Sequence, residues 1–404
     1  MSVNAEAAVG APVPMVAHGR FLGERRVYFR LLSRDALAMV LTLGLYRFWV
    51  ANDVRRYLWS HTVIAGDELE YTGDPRELFV GFMVIMVVLC PLFAGIALLA
   101  KVEALIRAPA VNGLVNVAPV LLIALLALLA MYQARRYRLC HTIYRGLRFR
   151  LRGSAWVYAL LTLAWFTVNL CTLGLTYPLA RKYLEHYKMR HTYYGDLQGD
   201  FQASARTLFK TGFVLWLIVL GPGLAILFVG SAIVGEHSEA EWPVWAALGW
   251  MAVAGLAVYP AFHANALRWR IAGVRFGKLA MQAHFKTSDL YRAYLRFFVL
   301  MLAFAVVVAI VSVLWQYEIR PMLPQNPPRA LDLLIVLLTV LAYFVVITVV
   351  TFAYQATVRL ALWRLVVDRL TLTGIEALND AKAQPGWSPR HEGRIGGALS
   401  IGGF

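Results

Sequence analysis

Six long apolar runs separated by short basic segments constrain this chain more than any other feature. They are Leu78–Ala100, Leu114–Tyr132, Gly212–Gly235, Val244–His263, Phe297–Trp315 and Leu331–Tyr354. A helix needs about 20 mainly apolar residues to cross the hydrocarbon core of a bilayer, and each run is of that order. Composition agrees: 60% of the residues are hydrophobic and 15% charged, against roughly 45–50% and about 25% in soluble domains. The expected fold is therefore an all-α polytopic membrane protein with six transmembrane helices. A net charge of +16 can mark a nucleic-acid partner. In a polytopic chain, Lys and Arg retained on the cytoplasmic side account for it, so the expected partner is the bilayer and its anionic lipids, not nucleic acid. Cys90, Cys140 and Cys171 form no CxxC pair, which argues against a disulfide framework or a cysteine metal site.

The chain also repeats itself. Thr42–Phe79 displaced by 130 residues falls without a gap on Thr172–Phe209, and TLGL, Tyr57, His61-Thr62, Arg76 and Leu78-Phe79 recur. Displaced by 80, Arg55–Gly73 falls on Arg135–Gly153, with RRY, HT and both glycines repeated. Fixed-displacement similarity signals tandem units. We read residues 1–20 as a flexible tail, 21–153, 154–296 and 297–376 as two full membrane repeats and a partial third, and 377–404 as a disordered tail. Within each unit a basic aromatic helix precedes a period-two segment with a Gly-containing turn, such as Val63-Ile64 and Leu69-Tyr71 around Gly66-Asp67. That is the pattern of a small hairpin outside the bilayer.

Charge sets the topology. If every apolar run crossed, Arg135–Gly153, with seven arginines and no acid, would face the opposite side from 181–210. The positive-inside rule forbids that unless one loop is misoriented among eight ordinary spans. If the two short runs ending in TLGL, Ala36–Tyr46 and Ala155–Ala180, instead dip in and return, six spans remain. Every basic repeat and both termini then lie in the cytoplasm, and Glu236–Trp242 falls outside. Backbone that turns at membrane depth has to be covered by protein or line a cavity.

Walker loops, nucleophile elbows, HExxH and clustered carboxylates are absent from the sequence, so no enzyme activity and no cofactor is expected. Tyr57/His61-Thr62, Tyr137/His141-Thr142 and Tyr187/His191-Thr192 repeat a YxxxHT string. Either His61, His141 and His191 converge on a metal or proton site, or each caps the carbonyls at a helix C-terminus. Arg55, Arg56, Arg135, Arg136, Arg181 and Lys182 are candidate contacts for anionic lipid head groups, each worth about 1 kcal/mol near an anionic leaflet; topogenic charge is the alternative. Polar residues inside apolar runs point to a solute path, and Asn169 and Thr172, with Asn116 elsewhere, are the candidates.

FxGxxxxYFR from Phe21 to Arg30, TLGLYxxW from Thr42 to Trp49 and RRYxxxxT from Arg55 to Thr62 resemble the YjgN family of bacterial inner-membrane proteins, which carry a domain of unknown function. The chain departs from that pattern at GERRVYF in the lead-in and at TYPL, Thr176–Leu179. The resemblance implies an inner-membrane location and carries over no catalytic residue. The expected function is transport or handling of a small or lipidic solute through a helical bundle. The alternative is a scaffold whose basic cytoplasmic repeats bind anionic lipid or a protein partner.

Overall fold

The computed structural model describes residues 16–106, 109–234, 241–322, 324, 328–379 and 381–382. The chain alternates pairs of helices with pairs of short strands. Strand β1 (Val16–Phe21) leads into α1 (Arg25–Leu41) and α2 (Arg47–Ser60), which return to β2 (Thr62–Ile64) and β3 (Asp67–Tyr71). Helices α3 (Pro75–Ile106) and α4 (Pro109–Cys140) precede β4 (Thr142–Tyr144) and β5 (Leu147–Leu151). Helices α5 (Ala155–Cys171) and α6 (Tyr177–Arg190) precede β6 (Thr192–Tyr194) and β7 (Leu197–Phe201). Next come α7 (Ala205–Val234), α8 (Trp242–Gly273), β8 (Val274–Phe276) and β9 (Leu279–Ala283). The last unit holds α9 (Thr287–Leu314), α10 (Arg329–Tyr354), a π-helical segment Gln355–Arg359, α11 (Leu360–Asp368), β10 (Leu370–Thr373) and α12 (Glu376–Asn379).

The expectation of an all-α fold is overturned here. The ten strands close into one antiparallel barrel, with β1 pairing both β2 and β10. The hairpin at Thr62–Tyr71 falls where the sequence placed it, but it does not stand alone. A two-stranded hairpin in water is marginal and leaves two open edges, which a closed barrel removes. Val16–Arg20, expected in the N-terminal tail, belong to β1, and Ala377–Asn379, expected in the C-terminal tail, complete α12. Residues 1–15, 380 and 383–404 of those tails lie outside the described residues, as does 235–240 of the acidic link.

Alternation along the strands fills the barrel. One apolar cluster takes residues from every strand, among them Ile64, Leu69, Tyr144, Phe149, Tyr194, Phe201, Phe276, Leu279 and Leu372. The Tyr144 hydroxyl donates to the Ile64 carbonyl at 2.9 Å and that of Tyr194 to the Tyr144 carbonyl at 3.0 Å, so these buried phenols are satisfied. The interior is an apolar core.

Register places all five helical units on one rim. Phe21 faces Thr62, Tyr71 faces Thr142, Leu151 faces Thr192, Phe201 faces Val274 and Ala283 faces Leu370. One further bond seals each entry: the N–H groups of Leu22, Thr72, Arg152, Gln202 and His284 donate to the carbonyls of His61, His141, His191, Gly273 and Arg369 at 2.9 to 3.1 Å. The opposite rim carries tight turns. Ala65-Gly66 and Arg145-Gly146 have positive φ at both positions, as type I′ turns require. Residues after β10 cover this rim: Asn379 accepts from Arg145 at 2.6 Å and the Lys382 N–H donates to Asp196 at 2.8 Å.

Six helical segments of 22 to 40 residues are long and apolar enough to cross a membrane, and together they match the six expected runs. Helices α1 and α5 have 17 residues each, about 25 Å, short of the roughly 30 Å hydrocarbon core. Both end in one turn geometry. Leu43 and Leu173 sit at φ 49°, Gly44 and Gly174 at 91° and 85°. Gly44 N–H reaches the Met39 carbonyl at 2.9 Å and Gly174 N–H the Asn169 carbonyl at 2.7 Å. This is a Schellman stop with leucine where glycine is usual. After it α2 and α6 run back to the rim that α1 and α5 left.

Candidate basic vestibule at the barrel mouth

The second helix of each unit descends onto the barrel, so counting back from its strand aligns the units. Four residues before β4, β6 and β8 stand Arg138, Lys188 and Arg270; seven before β2, β4 and β6 stand Arg55, Arg135 and Glu185. Positions three or four apart share a helix face. The result is cationic side chains from several units gathered above the barrel mouth.

Glu185 organises one half of the cluster. It is 1% exposed, and its Oε1 lies 2.7 Å from Lys188 Nζ, 3.3 Å from Arg270 Nε and 4.0 Å from Arg181 Nη1. Burial alone would raise its carboxyl, but Lys188, Arg270 and Arg135 outweigh burial and hold it at about 2. Burial pulls the Lys188 ammonium below the usual lysine range while Glu185 opposes that fall. The other half joins α2, α4 and the π-helical segment, where the charges of Arg55, Arg138 and Arg359 act on one another. Arg55 Nη1 donates to the Tyr71 hydroxyl at 3.3 Å and Arg359 Nη1 to Gln355 Oε1 at 2.7 Å. Several polar atoms around this cluster are buried with no hydrogen-bond partner: Arg47 Nε, Arg135 Nε, Tyr28 Oη and Tyr132 Oη.

A cavity of about 840 Å³ opens between α2, α8, the π-helical segment and α11. Its polar lining is Arg47, Arg55, Arg270, Arg359, His263, Thr351 and Gln355, with Tyr259 and Tyr354, and no carboxylate is among the lining residues. Its walls are apolar, including Val54, Leu267, Phe352 and Trp363. The π-helical segment contributes both of its end residues, Gln355 and Arg359, to the cavity lining, and such insertions recur at functional sites.

The three sequence-predicted histidines adopt one geometry, each on its own unit. His61, His141 and His191 place Nδ1 at 2.8, 2.8 and 2.7 Å from the carbonyls of Tyr57, Tyr137 and Tyr187. Each ring lies on the tyrosine ring one turn earlier, with centroids 4.1 to 4.4 Å apart. Thr62, Thr142 and Thr192 donate to carbonyls four residues back at 2.7 to 2.8 Å. Both side chains thus close helix ends that would otherwise leave carbonyls bare. Among the described residues no group of three His, Cys, Asp or Glu stands close enough to hold a metal.

Asn169 and Thr172 do not line this cavity. Asn169 donates to the Trp165 carbonyl at 2.8 Å and accepts from Thr176 at 2.9 Å; Thr172 donates to the Val168 carbonyl at 2.9 Å. They brace the TLGL turn. Asn116 has a side chain outside the described residues. Of the head-group candidates, Arg55 is buried in the vestibule and Arg135 lies half-buried beside it; Arg56 is exposed. Arg181 donates to the Tyr177 hydroxyl at 2.5 Å and reaches Glu185, while Arg136 and Lys182 are half-buried. The sequence reading passed over Arg47, Arg138, Lys188, Arg270, Arg359 and Glu185. The spacing from the following strand would have found four of them, once the strand starts were known.

The chain finds no match among curated proteins or solved structures. Over residues 17–254, and again over 237–384, it matches the family described as "Bacterial protein of unknown function (DUF898)". Those two stretches take in most of the sequence, and the chain belongs to that YjgN-like bacterial family.

Proposed function

We propose that this protein is a non-enzymatic membrane protein that binds an anionic solute in the vestibule and handles it at the membrane surface. One observation carries the reading: an 840 Å³ cavity lined by Arg47, Arg55, Arg270 and Arg359 with no carboxylate in its lining. Four guanidinium groups face one cavity, and guanidinium forks match phosphate and carboxylate oxygens. The apolar walls favour a solute with an apolar portion. Because the barrel interior is apolar, passage runs beside it, between the helices. Under the positive-inside rule the basic barrel and both termini face the cytoplasm of the bacterial inner membrane.

The test is binding of inorganic pyrophosphate to protein purified in neutral detergent, followed by thermal unfolding. Wild type is expected to gain about 2.7 kcal/mol at a ligand concentration of one hundred times Kd, and Arg270→Gln combined with Arg47→Gln to gain far less. Wild-type protein that neither binds nor is stabilised by any anion would overturn the reading. Orientation is tested separately. A cysteine at Lys278, on the turn rim of the barrel, should react with an impermeant maleimide only in inverted vesicles.

A further inference from the structure

The two TLGL units are copies displaced by 130 residues. Helices α2 and α6 start at Arg47 and Tyr177, and α3 and α7 at Pro75 and Ala205. One difference between the copies makes a hollow. In the first, Phe48 of α2 is buried and packs on Phe82 of α3, with ring centroids 5.2 Å apart. The matching positions of the second copy hold Pro178 and Gly212. There an apolar groove of about 440 Å³ lies between the α5–α6 turn, α7 and α8, with Pro178 and Gly212 in its lining. Gly255 of α8 lines it too, and a Cβ placed there meets no atom within 4 Å. Trp216 Nε1 donates to the Leu173 carbonyl at 2.7 Å, which ties the turn to the α7 wall.

We propose that this groove holds one acyl chain of a lipid from the bilayer leaflet on the barrel side. Among the described residues none that lines it is charged, so this occupant is independent of anion binding in the vestibule. Location points to lipid: α7 and α8 are both long and apolar enough to cross a membrane, and the lining residues Phe209 and Phe213 are exposed. Length points to a single leaflet. From Phe209 to Leu220 the α7 wall runs about 16 Å, close to half of the roughly 30 Å hydrocarbon core. Bore excludes a helix from another chain. A helix about 10 Å across would fill more than about 1,000 Å³ over that length, over twice the groove. Left empty, the walls would forfeit their dispersion contacts. A chain supplies there what the rings of Phe48 and Phe82 supply in the first copy.

The experiment places the full chain in phosphatidylcholine vesicles containing a phospholipid with a diazirine midway along one acyl chain. After irradiation, adducts are mapped by mass spectrometry. Phe213 and Trp216 should carry at least about three times the adducts found on Val336 and Val340, exposed residues of α10, because a groove contacts a chain on more sides than a helix face does. Gly212→Phe, which restores the ring of the first copy, should lower the groove adducts at least about threefold and leave those on α10 unchanged. Gly255→Leu fills the groove from the opposite wall and should do the same, so the test survives misfolding of either variant. Groove adducts no denser than those on α10, or undiminished in a folded variant, would mean ordinary contact with surrounding lipid and would overturn the proposal.

Discussion

The barrel interior and the vestibule above it are built by the same five units, yet they solve opposite problems. Inside the barrel even the tyrosines are satisfied, through the Ile64 and Tyr144 carbonyls. In the helices above the strands, Arg47 Nε, Arg135 Nε and Tyr28 Oη are buried without hydrogen-bond partners. Native proteins tolerate few such atoms, and they concentrate where a function demands them. The barrel fixes the relative positions of five helical units. The vestibule carries the strain of gathering like charges there.

The largest expected effect tests the one carboxylate that holds part of the vestibule together. Glu185→Gln leaves Lys188, Arg181 and Arg270 facing one another without their anion, and should cost about 3–5 kcal/mol by urea or thermal unfolding in detergent. Acid should do the same without mutation. The carboxyl is held at about 2 against its ordinary 4.5, so its contribution is complete above pH 4.5 and lost as pH falls from there through about 2. Wild type should lose stability across that window, and Glu185→Gln should show a flatter profile. A Glu185→Gln variant as stable as wild type would mean that the cations are compensated elsewhere.

Next comes the barrel itself. Leu372 is 1% exposed in the shared apolar cluster, and Leu372→Ala should cost about 2–5 kcal/mol. The comparison sharpens if the folded fraction of this variant binds pyrophosphate with wild-type affinity. Weaker binding would mean that the barrel does more than hold the helices in place. A smaller effect is expected at the repeated helix ends. Thr142→Val removes the bond to the Arg138 carbonyl and the acceptor of the Trp59 indole N–H, each worth about 1 kcal/mol, and stability rather than anion affinity should register it.

These regions also differ in how far the sequence revealed them. The turn at Gly66-Asp67, the alternation of Leu69 and Tyr71 beside it and the repetition of the unit made the hairpins legible. Closure was not legible, because the pairings that make it, Tyr71 with Thr142 or Val16 with Thr373, join strands of three to six residues across whole helical units. No local pattern encodes such a partner. The six spans were legible from length and composition alone. In the site, Arg55 and Arg135 stood out as basic residues, but their inward face follows from their distance to the next strand. Glu185 sat unremarked in a basic segment. Arg359 depends on the π-helical segment, which no periodicity announces.

Arg55→Gln carries the comparison to its smallest energetic effect. Arg55 is 2% exposed, and removing a buried hydrogen-bonded group from the barrel would be costly. In the vestibule the balance differs. Its charge opposes those of Arg138 and Arg359, and glutamine retains a donor for the Tyr71 hydroxyl. Lost hydrogen bonding and relieved repulsion should nearly cancel, leaving a change within about 1 kcal/mol of zero, of the size seen for neutral surface substitutions. Pyrophosphate affinity should nevertheless fall, since one of four lining guanidinium groups is gone. Stability held while anion affinity drops is the behaviour of a residue kept for binding at the expense of packing. A large loss of stability with unchanged affinity would instead place Arg55 with the barrel, as part of the framework.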